Sequence, residues 1–347
     1  AHLDKTYLGG PWQSHVPGST VRERIELEKS RRSLLADSAL ERALFLAHRM
    51  VAFGAGTVRA HVDVDAEIGL AGMERMLAVR EAMDGLLQVQ IIAFPQSGIR
   101  DEAGIAGLLE EALRLGADGI GGLDPISLDG DLDGHLDVVF DLARRYGAEV
   151  DIHLHAVGDE AVAEYRAVAR RAVDDMRGHV TRSHAFGLGA LDDAVGPRVL
   201  DLLADAQVAV MTNGPAGPMP PVRELVAHGV PVYVGTDNIR DAWWPFGNGD
   251  VLETARNVAY QSSFYRDDDL ELALELVTDR AASALGLRDY GLVAGAAADL
   301  LVVDATTAAE AIAAPPVERD VMRAGDWVSR SRLRIESNVP VSLPALR

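Results

Sequence analysis

From Thr57 onward, apolar positions along the chain follow two alternating rhythms. Short β-branched runs occupy residues 57–63, 87–96, 119–123, 149–155, 179–184, 208–213 and 231–237. Between them lie longer segments with apolar residues at i, i+3 and i+4, such as Leu108, Leu109, Ala112 and Leu113, or Leu136, Val139, Phe140 and Ala143. Gly or Asp punctuates most junctions, as at Gly116-Ala117-Asp118 and Gly147-Ala148. Near-continuous apolar strands alternating with helices predict a parallel sheet covered on both faces.

Seven such strands are visible, and an eighth would end at residues 1–4. Eight strands at this rhythm predict an α/β chain closed as a (β/α)8 TIM-type barrel over residues 1–286. An open doubly wound sheet should carry a Gly-rich phosphate loop after its first strand, and the sequence shows none. Residues 291–304 and 321–328 read as short strands outside this rhythm. They predict a small β-rich appendage over 287–347, with partner strands lying before residue 1.

The remaining sequence properties narrow the chemistry. A length of 347 residues fits one α/β barrel with trimmings. The net charge of −20 disfavours nucleic acid and anionic membranes as partners. With no Cys, there is neither a disulfide nor a thiolate metal site, so any metal must sit on His and carboxylate ligands. No run of about 18 apolar residues occurs, and no secretory pattern opens the chain, so the expected location is cytoplasmic. Apolar rim loops leave room for a homo-oligomer.

His61, His153, His184 and Asp237 each fall at or near the C-terminal end of a predicted strand, and His2 sits where the first strand would end. In barrel enzymes that rim is where side chains from different strands converge. His and Asp together suit Zn2+ or Fe2+, and such an ion lowers the pKa of its water from ~15.7 to ~7. Asp237 could alternatively cap a following helix. His155 alternates with His153 and is expected on the opposite face, in a structural role. His15, His48, His135, His179 and His228 fall in helices or loops and are expected at the surface.

The ordered set of motifs resembles the bacterial cytosine deaminases of the amidohydrolase superfamily. It comprises HLD at 2–4, VRAHVD at 58–63, FPQSG at 94–98, DIH at 151–153, VTRSH at 180–184 and GTDN at 235–238. DAWWPFG at 241–247 resembles the family's D-P-W-Y-P-L-G, and LRDYGLVAG at 287–295 its late L-x-D-Y-G-I-x-x-G turn. The resemblance implies one divalent metal, Zn2+ or Fe2+, held by His2, His153 and Asp237. His2 would be the second His of an H-x-H pair whose first member falls immediately before Ala1. It implies that His184 polarises the attacking water and the developing oxyanion, and that Asp237 also takes the water's proton. Gln96 would bond the substrate ring's carbonyl or nitrogen, and Trp243 would wall the ring pocket.

Two departures modify this. The family carries H-x-x-E after its fifth strand, with the Glu shuttling protons; here that position is Ala156. Asp159 or Glu160 could substitute, or the substrate needs no ring protonation. Asn238 stands where the family has a second Asp, so the substrate edge it reads should differ. HLDK, with Lys5, resembles relatives acting on s-triazines such as N-isopropylammelide hydrolase, where a Lys lies near the substrate. The implied function is therefore hydrolysis of a C–N bond on a small N-heterocycle (an amino-pyrimidine, triazine or related ring) by metal-generated hydroxide. The alternatives are ring opening of a cyclic amide, or a catalytically silent heterocycle-binding relative.

Overall fold

The computed structural model describes residues 1–33, 38–100, 103–214, 218–334 and 336. The β-branched runs form seven parallel strands: β1 (Thr57–Asp63), β2 (Gln88–Phe94), β3 (Gly119–Leu123), β4 (Glu149–Leu154), β5 (Val180–His184), β6 (Ala209–Thr212) and β7 (Val232–Val234). They pair in sequential order into one sheet, and helices follow the strands as crossovers. Ladder pairs such as His61 opposite Ile92 and Leu123 opposite His153 bring chemistry-bearing residues to one end.

The N-terminal segment lies beside the free edge of β1. The Ala1 amine donates to the Arg59 carbonyl at 2.7 Å, and His61 N–H donates to the Ala1 carbonyl at 2.8 Å. The Thr6 hydroxyl donates to the Ile239 carbonyl at 2.7 Å and Tyr7 N–H to that of Arg240, so the same segment reaches the chain leaving β7. It is followed by α1 (Val21–Arg32), capped by the Thr20 side chain, and α2 (Ala39–Phe53), closed by Gly54 in the left-handed region.

The strands are not apolar on both faces, as the composition of the runs suggests. In β1 the apolar Val58, Ala60 and Val62 alternate with Arg59, His61 and Asp63, all buried. Arg59 donates to Thr181 Oγ1 at 3.2 Å and to Asp151 at 3.4 Å, and Ser183 donates to Asp151 at 2.7 Å. The face enclosed by the curl is thus polar and internally hydrogen-bonded, while the helix-facing side forms the hydrophobic core with Met73, Met76, Leu109, Val139 and Leu203.

The C-terminal part adds a three-stranded antiparallel sheet: β8 (Leu300–Val303), β9 (Arg319–Arg323) and β10 (Asp326–Ser331). Three strands replace the two expected. Ala324 and Gly325 both take positive φ, as a tight two-residue hairpin turn requires, and they split the second run. Residues 291–296 form bends and turns, and 297–299 are irregular, rather than strand. The expected appendage runs on into residues 335 and 337–347, which lie outside the described residues.

Arg319 ties this sheet to two helix ends, the last residue of α2 and the N-cap of the helix Val251–Gln261. Its guanidinium grips the buried carboxylate of Asp250 at 2.9 and 2.5 Å and donates to the Phe53 carbonyl at 2.9 Å. Arg319→Ala would strand a buried carboxylate and is expected to lower stability by about 3–5 kcal/mol, measured by denaturant melting. A loss below about 1 kcal/mol would contradict this role. Among the described residues, no helix is long and apolar enough to cross a membrane.

Candidate active site

Rim positions on different strands bring the histidines and Asp237 into one buried cluster. His184 ends β5 with φ of 73° and Asp237 follows β7 with φ of 54°, both in the left-handed region that non-glycine residues adopt at a cost. Asp237 caps no described helix: the next one begins at Val251 and is capped by Asp250. His2 Nε2 lies 3.4 Å from Asp237 Oδ1, and His184 Nε2 lies 3.8 Å from Asp237 Oδ2 and 3.3 Å from His153 Nδ1. Asn213 donates to Asp237 Oδ2 at 3.1 Å.

Two triads have ligand atoms all within 4.8 Å of one another: His2, His61 and His153, and His153, His184 and Asp237. The trio implied by the sequence resemblance straddles them, joined by the His2–Asp237 contact. His61 lies within β1, its ring centroid 4.4 Å from that of His153 and its Nε2 3.5 Å from Asp151.

The protonation states suit a cation. Burial pushes His2 and His153 well below the ordinary histidine value, and His184 down to about 4. Burial acts to raise Asp237, but His184 and His2 beside it hold it well below the usual carboxylate range. The cluster therefore offers neutral imidazoles and an ionised carboxylate. His2 Nδ1, His153 Nε2, His184 Nδ1 and Asp237 Oδ1 are buried and lack a hydrogen-bond partner among the described residues. Buried polar atoms without partners are costly, and a divalent ion on N and O donors would satisfy several at once. The residues present fit such an ion.

A cavity opens onto this cluster, lined by His2, His153, His184, Lys5, Gln96 and Asn238, with Phe94, Leu123, His155 and Trp243 completing the wall. Every residue expected to bind metal or substrate from the sequence lines it, except Asp237, which touches His2 and His184 just behind.

His155 corrects the expectation drawn from alternation. β4 ends at Leu154, the backbone turns, and His155 enters the same cavity as His153. Its ring stacks on His184 at 4.6 Å, and its Nδ1 lies 2.9 Å from Asp124, whose other oxygen accepts from His155 N–H at 2.7 Å. Burial acts to lower His155, yet Asp124 raises it above the ordinary value. His135 is also not at the surface: it is fully buried, with Nδ1 2.6 Å from Asp129. His48 and His179 are exposed, and His15 and His228 half-buried. Asp159 and Glu160 are exposed in the first turn of the helix Gly158–Arg171 and do not line the cavity.

Sequence reasoning missed Glu28, Asp124, Asn213 and Glu164. Glu164 lies on that same helix behind β5, 3.9 Å from the buried Arg182, whose guanidinium sits 3.4 Å from the Tyr165 ring centroid. Burial pushes Glu164 up to about 8, only partly offset by Arg182. An acid raised in the folded state stabilises fully below its unfolded value near 4.5 and loses that contribution as pH rises through about 8. Glu164→Gln is therefore expected to abolish a fall in stability between about pH 5 and 8. Parallel melting profiles for the two proteins across that window would contradict it.

The profile of the amidohydrolase family matches residues 29–328, and the chain belongs to that family, hydrolases acting on carbon–nitrogen bonds. Particular relatives narrow the comparison. The N-isopropylammelide isopropyl amidohydrolase of Pseudomonas sp. (strain ADP) is 31% identical over 261 residues, 74% of this chain and 65% of its own length. The crystal structure of N-isopropylammelide isopropylaminohydrolase from Burkholderia multivorans matches with a TM-score of 0.91 and 43% identity, over 95% of this chain and 84% of that one. The 5-methylcytosine deaminase of Klebsiella pneumoniae, liganded with phosphonocytosine, matches at 0.84 and 29%, over 97% and 86%.

Proposed function

We propose that this protein hydrolyses an exocyclic C–N bond of a small oxygenated N-heterocycle, such as an amino-substituted triazine or pyrimidine, with one divalent metal ion. The observation that carries the reading is the convergence of His2, His153 and His184, with Asp237 just behind them, on a cavity also lined by Lys5, Gln96, Asn238 and Trp243. Relatives named for triazine and cytosine substrates support the heterocycle. The sequential parallel sheet, with residues 1–8 bridging β1 and the exit of β7, supports a TIM-type barrel as the scaffold.

His2, His153 and Asp237 would hold the ion, Zn2+ or Fe2+, which when bound lowers the pKa of water to ~7. Asp237, ionised and steadied by Asn213, is placed to accept the water's proton. His184 is neutral and held by its stacking on His155, so it can donate a hydrogen bond toward a developing oxyanion. Lys5 offers a cation to a carbonyl oxygen of the ring, and the Trp243 ring walls the cavity beside Lys5. Burial of these groups keeps bulk water from competing with them.

Elemental analysis of the purified protein tests the metal. About one Zn or Fe per chain, lost together with turnover on chelation and restored by reconstitution, is expected. Ring opening of a cyclic amide on the same residues would give a carboxylate and release no free ammonia or alkylamine, which product analysis distinguishes.

A further inference from the structure

The cavity wall away from the histidines is organised by a carboxylate that this chemistry does not use. Glu28, on α1, is 4% exposed. Its Oε2 accepts from three cavity residues: Lys5 Nζ at 3.1 Å, Trp243 Nε1 at 2.5 Å and Gln96 Nε2 at 3.4 Å. Oε1 accepts from Arg32 at 3.3 Å. Burial acts to raise Glu28, but Lys5 and its other partners hold it below the ordinary value, so it is ionised.

An ionised carboxylate only accepts, so Gln96 must turn its NH2 toward Glu28. Its Oε1 is then left buried and without a partner among the described residues. Asn238 is oriented in the same way, with Nδ2 donating to Asp241 Oδ2 at 2.6 Å while Asp241 Oδ1 takes the Trp243 and Trp244 N–H groups. The bond to Asp241 Oδ2 commits one amide N–H and fixes the side chain's orientation, leaving its oxygen free to accept from a ligand. Lys5 stands between the two orienting carboxylates. It bonds Glu28, its charge acts on Asp241, and a second N–H goes to Asp63 at 3.0 Å. One ammonium donor remains.

We propose that Glu28 fixes this wall as acceptor, donor, acceptor (Gln96 Oε1, Lys5 Nζ, Asn238 Oδ1) and so selects rings presenting a ureide edge, N–H, C=O, N–H. The inference rests on the heterocycle-hydrolase reading above and specifies its substrate class. Glu28 is a specificity-setting residue acting through Gln96 and Lys5. A ring offering a bare nitrogen in place of either N–H meets an amide oxygen lone pair to lone pair, leaving a buried acceptor unpaired.

Calorimetric binding to the metal-loaded protein tests this with two pyrimidine probes. Uracil carries the full ureide edge; 2-pyrimidinone has a bare nitrogen in place of one N–H and also lacks the C4 oxygen, so the change in preference on substituting Glu28 is the decisive readout. Uracil is expected to bind about tenfold or more tightly. In Glu28→Gln the new amide can donate as well as accept, so Gln96 is free to turn, and the preference is expected to fall below about threefold. General damage to the wall would weaken both probes alike. Equal affinities in the wild type, or an unchanged preference in E28Q, would overturn the proposal. If E28Q does not fold, uracil against cytosine, which keeps a C4 substituent and carries a bare ring nitrogen, decides in the wild type. Failure of both probes to bind an enzyme that still releases amine from an N-heterocycle would overturn the ureide assignment and leave the hydrolase reading standing. Absence of metal and of turnover would instead remove the hydrolase reading.

Discussion

Asp237→Asn is expected to lower hydrolytic turnover by at least about 10³-fold. Two effects compound. The amide no longer accepts a proton, and a positioned general base is typically worth about 10²–10⁴ in rate. The amide is also a weaker cation ligand than an ionised carboxylate, so metal content should fall alongside activity. The fold should survive, because Asn keeps the shape of the side chain and its oxygen can still accept from Asn213. Activity assays with parallel elemental analysis and thermal melts read all three quantities. Turnover within tenfold of the wild type would mean that the proton goes elsewhere.

Ala156→Glu is the second large expected effect, and its sign is positive. Ala156 is half-buried just beyond β4, one residue past His155, at the place where the cytosine deaminase pattern has its proton-shuttling Glu. Neither Asp159 nor Glu160 lines the cavity, so neither adjacent acid fills the gap. His155, raised by Asp124 and stacked on His184, is the titratable group nearest that position in sequence. Restoring the carboxyl group is expected to raise turnover of amino-pyrimidines by about 10²–10⁴. An unchanged rate would show that ring protonation is already provided, with His155 as the first residue to test. A large increase from near zero would show that the present chain lacks the ring-protonating acid that amino-pyrimidines need.

The strand positions were legible because most of the buried parallel strands are short apolar runs with Gly or Asp at their junctions, and β1 and β3 fall where those runs predict. The polar interior was harder to see. TVRAHVD stands out as a strand through Val58, Ala60 and Val62, and the residues between them carry Arg59, His61 and Asp63 to the enclosed face. The rim histidines were legible because strand ends mark one edge of the fold. His155 was misplaced because alternation holds only while the strand lasts, and β4 stops at Leu154.

Glu28 was invisible for a different reason. VRERIELEKSRR has the composition of a solvated helix, and only tertiary contact shows that Ile25 and Glu28, three residues apart, share its buried face. Glu164 was hidden in the same way, within a helix whose burial depends on what packs against it. His135 resembles a surface helix residue until Asp129 is seen across the turn.

The central claim is metal-dependent hydrolysis at the His2, His153, His184 and Asp237 cluster. Its most direct test is release of ammonia or alkylamine from a panel of amino- and alkylamino-substituted triazines and pyrimidines. Metal-loaded and chelated protein are compared side by side. The account predicts release from at least one oxygenated ring by the loaded protein, lost on chelation and restored by Zn2+ or Fe2+. Equal, background-level release by both preparations across the panel would contradict it.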